Sequence, residues 1–155
     1  VTADVELRHR RWMQEALDMA KLAAELGEVP IGAIVVRDDT VVGRGFNRRE
    51  IWRDGTAHAE IIALREASRR LGGWRLTECD LYVTLEPCPM CAGAIVLSRV
   101  RHVIYGATDP KGGAMESKIR LCEPGLWNHT PQITSGVLRD ECANILRDFF
   151  RALRS

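Results

Sequence analysis

Two short stretches hold most of the residue types that can do chemistry. Thr84-Leu85-Glu86-Pro87-Cys88-Pro89-Met90-Cys91 carries two thiols three residues apart. Thr56-Ala57-His58-Ala59-Glu60, one short helix and one strand upstream, carries an imidazole and a carboxylate. Thiols so spaced at a helix start lie close enough to bind one ion, and the helix N-terminus favours their thiolate forms. Taken alone, the CxxC pair is equally a redox pair, a structural zinc knuckle or two unrelated core cysteines. His58 alone is more often a hydrogen-bonded structural histidine than a ligand, and Glu60 alone is a solvated charge.

Together the two stretches say more. Residues two apart on a helix diverge by nearly half a turn, so His58 and Glu60 serve one centre only if their helix aims its N-terminus at it. A structural zinc site closes with four protein ligands, whereas His58, Cys88 and Cys91 supply three and leave one position for water. A cation there makes that water more acidic. A carboxylate that is not a ligand can then take its proton and pass it to a leaving group, which is the role open to Glu60.

The rest of the chain has to bring these stretches together. Its 155 residues suit a single domain over 1–155, large enough for a core without disulfides. Hydrophobic residues at 46% and charged residues at 28% exclude a disordered chain. With 22 basic and 21 acidic side chains the net charge is +1, so attraction to nucleic acid has to come from local clustering. Asp4, Glu6, Arg8, Arg10 and Arg11 occupy the place where a signal peptide needs an apolar run, and no stretch reaches membrane-spanning length, which predicts a cytoplasmic protein. Cys79, Cys122 and Cys142 lack ligand spacing and read as inert core.

Helical periodicity runs from Leu7 to Leu26, with Trp12, Ala16, Met19, Ala20, Ala23 and Leu26 on one face and Gly27 as the stop. Ile31–Val36 and Thr40–Phe46 read as an antiparallel hairpin turned by Asp38-Asp39. A second helix is predicted over Thr56–Leu71 with Thr56 as N-cap, then a strand over Leu81–Leu85, a helix opened by Pro87 and Pro89 and ending near Ser98, and a strand over Val100–Tyr105. A short helix over Met115–Cys122, a strand over Gln132–Val137 and a last helix over Leu138–Leu153 complete the chain. That last helix is expected to present Leu138, Cys142, Ile145, Phe149 and Leu153 together. Alternating helices and strands predict an α/β protein with a mixed sheet of about five strands flanked by helices.

His58-Ala59-Glu60 followed by Pro87-Cys88-Pro89-Met90-Cys91 resembles the H-x-E…P-C-x-x-C signature of the zinc-dependent nucleobase deaminases. The likeness extends through Glu28-Val29-Pro30-Ile31-Gly32-Ala33, Gly45-Phe46-Asn47-Arg48, Tyr82 to Cys88, Cys91-Ala92-Gly93-Ala94, Asp140-Glu141-Cys142 and Asp148-Phe149-Phe150-Arg151, and is similar to the bacterial tRNA adenosine deaminases along nearly the whole chain. The resemblance implies a cytidine deaminase-like three-layer α/β/α fold, a homodimer, and conversion of adenosine to inosine at the wobble position of a tRNA anticodon. It further implies that His58, Cys88 and Cys91 hold Zn2+, and that Glu60 shuttles a proton from the attacking water to N1 of the purine and on to the departing amine. Asn47 is implied to hydrogen-bond the flipped base. The backbone N–H of Ala59 or Cys88, near a helix start, is placed to steady developing charge.

Candidate RNA contacts are Arg48, Arg49 and Arg53 in the loop before His58, Asp109 and Lys111 in a glycine-rich loop, and Arg147, Arg151 and Arg154 on the last helix. The bland reading of the same charges is a solvated face. Trp52 either stacks a base or anchors its loop. Gly55 before Thr56, and the run Trp127-Asn128-His129-Thr130-Pro131, depart from the family pattern and bear on substrate contacts rather than on the core chemistry. Two other functions stay open: deamination of a free base or nucleoside such as guanine or cytosine, and a non-catalytic zinc-stabilised RNA-binding module.

Overall fold

The computed structural model describes residues 2–154. Helix α1 covers Ala3–Glu25 and starts four residues before the periodic stretch, because the Thr2 hydroxyl accepts the Val5 N–H at 3.3 Å and caps the first turn. Its inner face is Trp12, Met13, Ala16, Leu17, Ala20 and Ala23; Leu26 is the C-cap and is exposed. Strands β1 (Gly32–Arg37) and β2 (Thr40–Phe46) form the expected hairpin. Asp38 and Asp39 both take positive φ, 51° and 56°, as a two-residue type I′ turn requires.

Helix α2 (Ala59–Leu71) stops on left-handed Gly72 at φ 76°. It starts three residues later than predicted. Thr56 spends its hydroxyl and its N–H on the Asp54 carboxylate, at 2.7 and 2.8 Å, so the turn closes before the helix and His58 takes the N-cap position. Strand β3 (Asp80–Leu85), α3 (Pro89–Leu97), β4 (His102–Ala107), β5 (Gln132–Ser135) and α4 (Arg139–Arg154) follow. Strand β5 ends at Ser135, short of Val137, because Gly136 turns the chain at φ 85° and Leu138 at φ 52°. Residues 115–122 form turns instead of a helix: the N–H groups of Lys118 and Leu121 reach back to Gly113 and Ala114, and those of Met115, Glu116 and Ser117 converge on one carboxylate.

The sheet order is β2-β1-β3-β4-β5. β1 runs antiparallel to both neighbours while β3, β4 and β5 run parallel, so β2 and β3 point the same way with β1 between them. Each of these two strands feeds a helix, and α2 and α3 therefore begin at the same end of the sheet. They pack on one face around Ala63, Leu64, Ile95 and Tyr105, while α1 and α4 cover the other around Trp12, Met13, Ile34, Ile104 and Cys142. This is the cytidine deaminase-like three-layer arrangement. No helix among the described residues is long and apolar enough to cross a membrane.

The approach of α2 to β2 depends on Gly43 and Gly45. A β-carbon at Gly45 would overlap the Ala59 carbonyl oxygen and lie 2.8 Å from the Ala63 nitrogen, both backbone atoms that cannot rotate away. Gly45→Ala is expected to push the first turn of α2 outward and cost about 1–3 kcal/mol, readable by thermal unfolding. An unshifted melting temperature would show that the layer yields more easily than its packing implies.

At the opposite end of the sheet a broad groove of about 1140 Å³ lies between α1, the strand starts and the start of α4. Within it His9 Nδ1 meets the Tyr82 hydroxyl at 2.6 Å, His102 Nε2 meets the Thr134 hydroxyl at 2.7 Å, and the two imidazoles stack edge-on at 5.5 Å. Burial pushes both below the ordinary value of 6.5; the nearby arginines and, for His102, the facing His9 add to this, while Asp80 opposes it. Folding thus favours the neutral rings. Their stabilisation is full above pH 6.5 and is lost as pH falls below it. Between pH 7.5 and 5.5 the pair's contribution to stability is expected to fall, so the double variant His9→Gln/His102→Gln should lose less melting temperature over that window than the wild type; the same pH slope in both would exclude the pair as a contributor.

Candidate active site

The shared starting end of α2 and α3 is where the two chemical stretches meet. His58 is the N-cap of α2 and Cys88 the N-cap of α3, with Pro89 at N1 and Cys91 in the first turn. Neither N-cap side chain makes a capping hydrogen bond. Both turn outward to a common point instead. His58 Nδ1 lies 3.5 Å from Cys88 Sγ and 3.5 Å from Cys91 Sγ, and the three atoms fall within 4.8 Å of one another.

Those separations fit a metal. With Zn–N near 2.0 Å and Zn–S near 2.3 Å, the edges of a tetrahedron are ~3.6 Å. Among the described residues this is the one group of three or more His, Cys, Asp or Glu side chains close enough to share an ion, and Glu60 is not part of it. The thiols share a proton unequally. A hydrogen bond from Cys91 holds the Cys88 thiol down to about 4, helped by His58 and against burial. Donating that bond, and burial, raise Cys91. The Cys88 bond in turn raises His58, although burial opposes it.

Glu60 is 4% exposed, lies in the first turn of α2 and lines the pocket. Burial pushes its carboxyl up to about 7, its own backbone N–H working the other way. A group so placed exchanges protons near neutral pH. The geometry therefore offers three donors for an ion, an adjacent proton carrier outside the donor set, and two helix N-termini directed at the same space.

The pocket beside this cluster has a volume of about 520 Å³. Of the residues predicted from sequence, Asn47, His58, Ala59, Glu60, Cys88, Asp109 and Lys111 line it. Asn47 is buried and fixed: its Nδ2 donates to the Val29 carbonyl at 3.2 Å, and its Oδ1 accepts the Arg49 N–H at 3.1 Å. Arg49 also reaches the lining. Arg48 does not, since its guanidinium lies over the Phe46 ring at 4.0 Å and near Trp52 at 5.2 Å. Arg151 stands outside as well, exposed and 3.9 Å from Asp148.

Sequence reasoning missed the apolar wall formed by Val29, Ile31, Leu146 and Phe150. Adjacent phenylalanines on an amphipathic helix were the available signal, because 149 and 150 cannot both face the same core. It also missed two buried carboxylates. Glu28, 1% exposed, accepts the N–H groups of Glu50 and Ile51 at 3.1 and 2.8 Å and ties down the loop that carries Asn47. Glu86, 3% exposed, does the same for the loop that carries Asp109.

The class that this fold and site define is a deaminase: residues 7–154 match the MafB19-like deaminase family, and the chain belongs to it. More particularly, the chain is 50% identical over 143 residues to the tRNA-specific adenosine deaminase of Bacillus subtilis (strain 168), covering 92% of this chain and 89% of that protein. A structure from studies of A-to-I editing by tRNA:A34 deaminases at the wobble position of transfer RNA is similar with a TM-score of 0.84 at 49% identity, over 88% of this chain and 99% of that one. The guanine deaminase from Nitrosomonas europaea is more distant, with a TM-score of 0.75 at 27% identity over 90% of this chain and 83% of that one.

Proposed function

We propose that the protein is a zinc-dependent hydrolase converting adenosine to inosine at the wobble position of a tRNA anticodon. The observation that carries this reading is 50% identity, spread over 92% of the chain, to an enzyme named for that substrate. The donor set supports it: two thiols and an imidazole with tetrahedral spacing suit zinc better than the oxygen-seeking cations. His58 Nδ1 and the sulfurs of Cys88 and Cys91 are the atoms that would hold the ion. A zinc ion held there would supply the Lewis acidity needed to make a water nucleophilic near neutral pH.

The chain's own residues do the rest. Glu60 takes a proton from the attacking water and gives it to N1 of the purine, then delivers the second to the amino group, so that adenosine and water become inosine and ammonia. Asn47 orients the base, because its amide plane is fixed by two backbone partners while one N–H and one lone pair remain free. The Ala59 N–H, at the open start of α2, stabilises negative charge as it develops. Val29, Ile31, Leu146 and Phe150 exclude bulk water from the reacting edge. Asp109, Lys111 and Arg49 at the rim, with Arg48 and Arg151 farther out, meet the anticodon loop. The protein works in the cytoplasm as a homodimer with tRNA as its partner, a state that sedimentation tests directly.

The deciding experiment offers an anticodon stem-loop with a wobble adenosine alongside free adenosine, guanine and cytosine. Inosine in the RNA is the expected product, read by mass spectrometry of digested nucleosides. Turnover of a free base with no reaction on RNA overturns the reading.

A further inference from the structure

We propose that Glu86 is a positioning residue for the substrate rim: its buried carboxylate fixes the loop that places Asp109 and Lys111 at the pocket mouth. This rests on the RNA-deaminase reading for its substrate, although the anchoring itself does not.

Five donors converge on this one carboxylate. Oε1 accepts the Asp109 N–H at 2.9 Å and the Ser117 hydroxyl; Oε2 accepts the N–H groups of Met115, Glu116 and Ser117 at 3.1, 2.8 and 2.9 Å. Among the described residues no lysine, arginine or histidine pairs with it. The charge is compensated by four backbone amides and one hydroxyl, drawn from residues 109 and 115–117 of one loop. That loop has no regular secondary structure of its own to hold its shape.

The anchored segment then organises the rim. Asp109 accepts the N–H groups of Lys111 and Gly112 through Oδ1 at 3.1 and 3.2 Å, and its carbonyl accepts the Gly113 N–H at 2.8 Å. Ala114 N–H bonds to the Pro87 carbonyl at 2.8 Å, beside the Cys88 ligand, and the Tyr105 hydroxyl donates to Glu116. Gly113 passes so close to the anchor that a β-carbon there would overlap all three carboxyl atoms of Glu86. The carboxylate cannot retreat without abandoning its donors. Glu28 repeats the construction on the opposite loop, which carries Asn47 and Arg49.

Glu86→Gln replaces one acceptor oxygen by a donor facing N–H groups, Gly113→Ala displaces the carboxylate without altering it, and Ser117→Ala removes a single donor as the mildest variant. All are tested in the metal-loaded full chain. Hydrogen–deuterium exchange over residues 108–118 is expected to accelerate at least about tenfold in the first two variants, the scale of one lost charge-assisted hydrogen bond. The starts of α2 and α3 and the metal content should stay unchanged. On the anticodon stem-loop KM is expected to rise about tenfold with kcat within about threefold, because ground-state RNA contacts are lost rather than chemistry. Ser117→Ala should show the same pattern more weakly.

Unchanged exchange overturns the anchor. A loosened loop with unchanged KM overturns the positioning role, and loss of metal would make Glu86 a support of the ion site instead. A wild-type chain inert on RNA sinks the functional reading and the rim's role with it, while the exchange data still decide whether Glu86 holds the loop.

Discussion

Glu60→Gln is expected to abolish turnover while leaving the metal stoichiometry at its wild-type value. The carboxylate lies outside the three-atom cluster, so removing its charge takes no donor from the ion. It is buried, and glutamine matches its volume, so the pocket keeps its shape. What disappears is the group that exchanges protons near neutral pH, and general acid–base catalysis of this kind contributes about 10²–10⁴-fold. Metal analysis and single-turnover kinetics on the stem-loop separate the two effects. Near-normal activity would remove Glu60 from the proton path, and loss of metal would make it a ligand.

Cys88→Ala should produce the opposite pattern, with metal and activity lost together. Two donors remain, too few to close an open tetrahedral site. Within the cluster the bond from Cys91 holds the Cys88 thiol down while raising Cys91, and the Cys88 bond raises His58, so protons are shared among the three donors. Metal binding to the wild-type chain is therefore expected to release protons and to strengthen as pH rises. Titration with a chromogenic chelator, repeated at several pH values, measures both. Retention of one tightly held ion per chain in Cys88→Ala would mean that a different residue completes the cluster.

The parts of the fold that could be read in advance were those whose signals are local. The hairpin was visible because Asp38-Asp39 separates two β-branched runs, and the zinc-type cluster because cysteines at i and i+3 combine with a histidine at a second helix start. Where long-range hydrogen bonds override local preference, the reading failed. Thr56 looks like an N-cap but is claimed by Asp54. Residues 115–122 have helix-forming composition, yet the Glu86 carboxylate gathers three of their N–H groups into a turn. On α4 the periodicity grouped Leu153 with the core, while in the folded chain Leu153 is 66% exposed and Phe150 reaches the pocket. Helical period alone does not say where the partner layer ends.

The two uncapped helix starts have a consequence for how this protein can be improved. Serine, aspartate or asparagine at an N-cap is worth about 1 kcal/mol over a residue that does not cap, and α2 and α3 both forgo it because His58 and Cys88 turn to the cluster they form with Cys91 instead. His58→Asp or Cys88→Ser would give its helix a side-chain cap and remove a donor in the same stroke. Selection for thermal stability alone would therefore favour changes at two of the three positions that could hold a metal, and on the proposed function a stabilised, active variant has to take its gain from elsewhere in the chain.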